Sequence, residues 1–144
     1  MAKRVVIYGY VIMDNYILLI WKPTPLFSLK HKQLSFMKFT AQRITRNLET
    51  YHPDVLRHFI VETRDREYQC WKRHSLCVDL YSEAVIEETL GYIHRNPAKG
   101  GLLAENTNNG NLENTINGEG YRVSSAGFYM KLGDEFGVLT DYRV

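Results

Sequence analysis

Two hydrophobic periods alternate along the chain. Residues 4–13 are rich in Val, Ile and Tyr, which suit a pleated strand, and residues 17–21 resume as an apolar run. Asp14-Asn15 between them is turn-like, so the stretch is either a hairpin or one long strand kinked there. Pro23 and Pro25 end it. Ser28 then stands where a helix cap is expected, before a helix to about Leu48. Leu34, Met37, Ala41, Ile44 and Leu48 recur at spacings of three and four, the mark of a buried stripe. Lys30, Lys38, Gln42, Arg43 and Arg46 lie off that stripe and give the helix a basic surface.

The second half is more broken. His52-Pro53 interrupts the chain, and residues 55–61 suit a short helix or a strand. Arg64-Asp65-Arg66 reads as a turn, and residues 68–71 and 77–80 as two short strands. Ser82 is a good helix cap, with Glu83 placed to complement the helix dipole. The helix it starts carries Ile86, Leu90 and Ile93 on one stripe. Pro97 disfavours helical geometry at Asn96, so the helix is expected to end there and Gly100-Gly101 to turn the chain. Residues 106–120 are rich in Asn and Gly and read as a surface loop. Residues 121–130 suit a final short element. These elements fit a single α+β domain over 1–144.

Composition adds three constraints. A chain of 144 residues with 44% hydrophobic and 24% charged residues has the profile of a globular domain that can bury a core. It holds no apolar run of the length a membrane span needs, and the polar Tyr8, Tyr10 and Asp14 break the pattern of a signal peptide. Cys70 and Cys77 are too few for a disulfide scaffold, so a reducing cytoplasm is the expected compartment. With His74 between them they do not have the spacing of a common zinc finger.

Charge sharpens the picture. The net value of +2 hides an asymmetry. Residues 1–48 carry eight Lys or Arg against one acid, Asp14, while the remainder is acidic. A polyanion such as nucleic acid suits the first third, and a solvated helix face explains it equally well. Ten tyrosines and six phenylalanines supply flat surfaces on which bases could stack.

One stretch suggests chemistry. In LGYIHRNPAKGGL, residues 90–102, Tyr92 and Asn96 are one helical turn apart beside a short basic loop. A nucleophile next to a metal or phosphate ligand has this form; so does an ordinary helix end with an interfacial tyrosine.

Four segments in order carry a resemblance. They are YGYVIMDNYILLIWKP at 8–23, QCWKRHSLCVDLYSEAVIEETL at 69–90, GYIHRNPAKGGL at 91–102 and YRVSSAGFY at 121–129. Together they resemble the IS200-like transposase family, and within it the REP-associated tyrosine transposases, over roughly residues 5–130. The resemblance implies a ferredoxin-like fold of the HUH type, with an antiparallel sheet and two main helices. It implies single-stranded or hairpin DNA as partner and a divalent cofactor, Mg2+ or Mn2+, held by a His-hydrophobic-His strand. It places Tyr92 as the nucleophile that forms a 5′-phosphotyrosine, and Asn96 as the helix amide that completes the metal shell. A phenol with a pKa near 10 needs such an activated phosphate. On charge, Lys30, Lys38, Arg43 and Arg46 are the candidate DNA-phosphate contacts.

The sequence departs from the family at the metal. Where the pattern is Met-Pro-Asn-His-hydrophobic-His, this chain has Met13-Asp14-Asn15-Tyr16-Ile17-Leu18. Tyr16 and Leu18 replace both histidines, so strand cleavage is expected to be impaired and a non-catalytic DNA-binding relic is the alternative. Asp14 is a candidate replacement ligand, while His94 and His74 are read as incidental. Relatives also carry a strand and a helix before the first strand here. Their lack would leave a sheet edge that a second copy could fill as a homodimer.

Overall fold

A computed structural model of the chain describes residues 5–25, 28–73, 75–99 and 123–144. The architecture is α+β, with two small antiparallel sheets and two long helices. The chain divides into two compact units, Met1–Thr24 with Asp79–Val144, and Pro25–Val78.

The first unit is built on a hairpin. Strand β1 (Val5–Ile12) pairs antiparallel with β2 (Ile17–Pro23), with a register irregularity between Ile7 and Gly9. The Met13 N–H donates to the Tyr16 carbonyl at 2.9 Å and closes the turn, which settles the hairpin over the kinked strand. The long helix of this unit spans Glu83–Lys99, and Ser82 caps it by accepting from the Val85 N–H. Leu90 and Ile93 of that helix meet Val11, Met13 and Ile20 of the hairpin in the core. Tyr8, Leu18, Leu80, Ile86, Tyr129 and Tyr142 pack around them. At Gly9 an added methyl would overlap Leu90 Cδ2, so the missing side chain is what lets helix and strand approach.

Residues 123–140 line the other edge of β1. Ile12 N–H donates to Val123 O, Ser125 N–H to Tyr10 O, and Thr140 N–H to Ile7 O, at 2.9 to 3.0 Å. The Tyr129 hydroxyl donates to Tyr8 O at 2.7 Å. A single helical turn, Ala126–Tyr129, lies within this segment.

In the second unit, helix α1 (Leu29–Tyr51) is capped by Ser28, which accepts from His31 N–H. After His52 come a helical turn, α2 (Pro53–Leu56), a 3-10 turn (Arg57–Phe59), and the strands β3 (Ile60–Thr63) and β4 (Arg66–Tyr68). With those labels the long helix of the first unit is α3 and the turn Ala126–Tyr129 is α4. Trp71 Nε1 donates to Thr40 Oγ1 at 2.9 Å, and Cys70 Sγ lies against Ala41 O and Thr45 Oγ1.

Four expectations change. First, α3 continues three residues past Asn96, through Pro97. Pro97 cannot donate to the Ile93 carbonyl. Yet it falls four positions after Ile93, on the Ile86–Leu90–Ile93 stripe, and it is fully buried. Packing of the ring and side-chain bonds at Asn96 hold the helical form.

Second, Leu34 is 59% exposed, while Met37, Ala41, Ile44 and Leu48 are half-buried. Leu34 lies about 50° outside the mean direction of those four. It also precedes the part of α1 that Cys70 and Trp71 cover.

Third, the strand expected at 68–71 is Arg66–Tyr68, because Trp71 turns onto α1 instead of pairing. Fourth, residues 77–80 form no strand, and Cys77 and Val78 are exposed. The loop 106–120, Gly100, Gly101 and His74 lie outside the described residues.

Candidate functional site

The start of β2 and the end of α3 meet at Tyr16 and Asn96. The Asn96 side chain is buried and makes two hydrogen bonds. Its Nδ2 donates to the Tyr92 carbonyl at 3.1 Å, one turn back on the same helix. A backbone carbonyl can only accept, so the amide must present nitrogen to it. That leaves Oδ1 pointing outward, where it accepts from the Tyr16 hydroxyl at 2.8 Å. The Tyr92 side chain is half-exposed at 50%, on the turn before Asn96.

These residues do not fit a divalent metal. Mg2+ and Mn2+ want several hard oxygen ligands, usually including carboxylates. Here the donor set is one amide oxygen, already accepting a hydrogen bond, and one neutral phenol. Leu18 packs against the apolar core. Asp14 is exposed in the hairpin turn. Among the described residues no group of three or more His, Cys, Asp or Glu is arranged to hold a metal ion.

Next to this pair lies a polar network that sequence reasoning missed. Ser125 is fully buried. Its Oγ accepts from the Tyr10 N–H at 2.9 Å and lies 3.2 Å from the Tyr10 carbonyl, to which it donates. His94 Nε2 completes the set at 2.9 Å. With one hydroxyl proton given to Tyr10 O, the bond to His94 is satisfied when Nε2 carries hydrogen and donates. Burial, with Arg95 nearby, pulls the His94 pKa down to about 4, so the ring is neutral at pH 7. His94 also packs on the Tyr129 ring, whose hydroxyl burial pushes up to about 12. His94 joins α3 to β1 and to the segment after residue 122. The only signal in the sequence was the Ser-Ser pair of the tail motif, which gave no hint of its partner.

The candidate phosphate contacts behave differently. Lys30, Lys38, Arg43 and Arg46 are all exposed on α1. At about 100° per residue they do not share a face: Arg43 lies about 140° round the helix from both Lys30 and Lys38, and Arg46 about 160° from Lys30 and about 80° from Lys38. Lys32, on the same helix, is buried. No described helix is long and apolar enough to cross a membrane.

Comparison with protein-family models, curated proteins and solved structures gave no match.

Proposed function

We propose that this chain is a DNA-binding protein derived from the IS200-like tyrosine transposases, with a ferredoxin-like parent fold, that takes single-stranded or hairpin DNA and is impaired in strand cleavage. The observation that carries the reading is the 2.8 Å bond between Tyr16 and Asn96. In the family, the first metal histidine and the helix amide serve one site. Here the residues at those two positions, 80 apart in sequence, touch. Chance likeness of two short motifs gives no reason for that meeting. The same bond argues for lost cleavage, because a phenol proton occupies the amide oxygen a metal would use. Tyr92 and Asn96 then mark an ancestral active centre that now serves as a structural joint. Lys30, Lys38, Arg43 and Arg46 supply the electrostatic attraction for phosphates.

The test uses a labelled hairpin oligonucleotide with Mg2+ or Mn2+. The wild-type chain is expected to bind it and to form no covalent adduct. The variant carrying Tyr16→His and Leu18→His is expected to form an adduct that Tyr92→Phe abolishes. A Tyr92-dependent adduct with the wild-type chain would overturn the loss of cleavage. Absence of binding by well-folded protein would overturn the DNA reading itself.

A further inference from the structure

Helix α1 carries two stripes. The half-buried one is Met37, Ala41, Ile44 and Leu48. The other is Phe36, Phe39, Arg43 and Arg46, at spacings of three, four and three, and centred about 150° round the helix. All four of its residues are exposed, Phe39 at 63%. Among the described residues, neither Arg43 nor Arg46 forms an ion pair.

The charges on α1 are not placed for the helix itself. Its first turn has no acid and its last turn no base, the reverse of what the dipole favours. From Ser28 to Leu48 the segment has no acidic residue at all. One phenyl ring 63% exposed and a second 37% exposed, beside two guanidinium groups that form no ion pair among the described residues, call for an occupant that is both flat and anionic. Single-stranded nucleic acid offers base faces for the rings and phosphates for the arginines. A duplex keeps its base faces stacked inside and offers only the phosphates. A second copy of the same stripe would gather four arginines in one interface with no acid among them, a charge accumulation that opposes self-association.

We propose that the Phe36–Phe39–Arg43–Arg46 stripe is a stacking platform that gives the chain its preference for single-stranded over duplex DNA. This rests on the DNA-binding reading above and names the part of the strand that is recognised, the unpaired base. It also separates the four basic candidates: Arg43 and Arg46 belong to the platform, and Lys30 and Lys38 lie outside it.

The test is a fluorescence-anisotropy titration of labelled oligo-dT, and of a duplex of equal length, with the full chain. Phe36→Ala with Phe39→Ala should weaken oligo-dT binding on the order of tenfold to a hundredfold. It should leave the duplex affinity and the salt slope nearly unchanged. Arg43→Gln with Arg46→Gln should lower the salt slope on oligo-dT by about 1.4, since each single-strand phosphate contact contributes about 0.7. Phe39→Trp should retain binding and Phe39→Leu should not, with circular dichroism confirming the fold of each. Wild-type binding that the Phe variants leave intact, or lose equally on duplex, overturns the platform while DNA binding stands. Failure of the wild-type chain to bind either oligo-dT or a hairpin overturns both. Self-association in sedimentation that the Phe variants abolish assigns the stripe to a second copy and overturns the proposal.

Discussion

Tyr16 donates its hydroxyl to the side-chain carbonyl of Asn96 across 80 positions of sequence, at 2.8 Å. Tyr16 is 39% exposed and Asn96 is buried, so the bond ties a surface residue to the interior. Tyr16→Phe keeps the ring and removes the donor. The expected cost is about 0.5–1.5 kcal/mol, since water can replace the phenol only in part. A urea melt of wild type and variant should show a lower midpoint with an unchanged slope. An unchanged midpoint would mean that the bond contributes nothing in solution.

His94 makes stability depend on pH. Its folded pKa of about 4 lies below the ordinary histidine value of 6.5. Near pH 6.5 the unfolded chain takes up a proton that the folded chain refuses until about pH 4. The stability present above pH 6.5 is therefore lost as pH falls from 6.5 towards 4, and the loss flattens below that. The ring is partly exposed, so the size is on the order of 2 kcal/mol, below the full linkage value. Denaturation at pH 7.5 and 5.0 checks this, and His94→Gln should shrink the difference.

Gly9→Ala should destabilise the first unit by about 1–3 kcal/mol, through overpacking against Leu90. The main clash is with one methyl of a buried side chain, and Ser125 Oγ is also close at 3.3 Å. Trimming that side chain, in Gly9→Ala with Leu90→Val, should therefore cost less than the sum of the two single changes. Strict additivity in thermal melts would show that the overlap relaxes elsewhere.

Ser125→Ala removes a hydroxyl that serves the Tyr10 N–H, the Tyr10 carbonyl and His94 together. It leaves the buried Tyr10 N–H without that acceptor. The expected loss is about 1–3 kcal/mol. Hydrogen exchange at Tyr10 should speed up by more than at Ile20, which pairs with the other strand of the hairpin. Equal acceleration at both would place the effect elsewhere.

Much of the local structure was legible in the residues. Ser28 and Ser82 cap the helices the spacing predicts, and the Ile86–Leu90–Ile93 stripe is the one that packs. What failed was decided by partners far along the chain. Pro97 signals a stop, and only its burial in the core explains why α3 runs past it. Leu34 keeps the right period, but no local rule says how much of α1 the Cys70–Trp71 segment covers. The second stripe of α1 was in the sequence as Phe36 and Phe39, but the spacing alone does not say which face of the helix is left exposed. At the site, Tyr92 and Asn96 drew notice by their spacing. The hydroxyl that fills Asn96 and the serine behind His94 came from segments with no local sign of partnership.

The docking of residues 123–140 along β1 also sets an order of events. β1 is made before its cover, and the carbonyls of Ile7, Tyr8 and Tyr10 find their partners at Thr140, Tyr129 and Ser125, more than a hundred residues later. During synthesis at ~5–20 residues per second, one side of this strand waits for its cover until the ribosome has released that segment. The unit thus has a high contact order, and its closure should be the slow step of folding. Until then the strand edge that this segment covers stays unpaired.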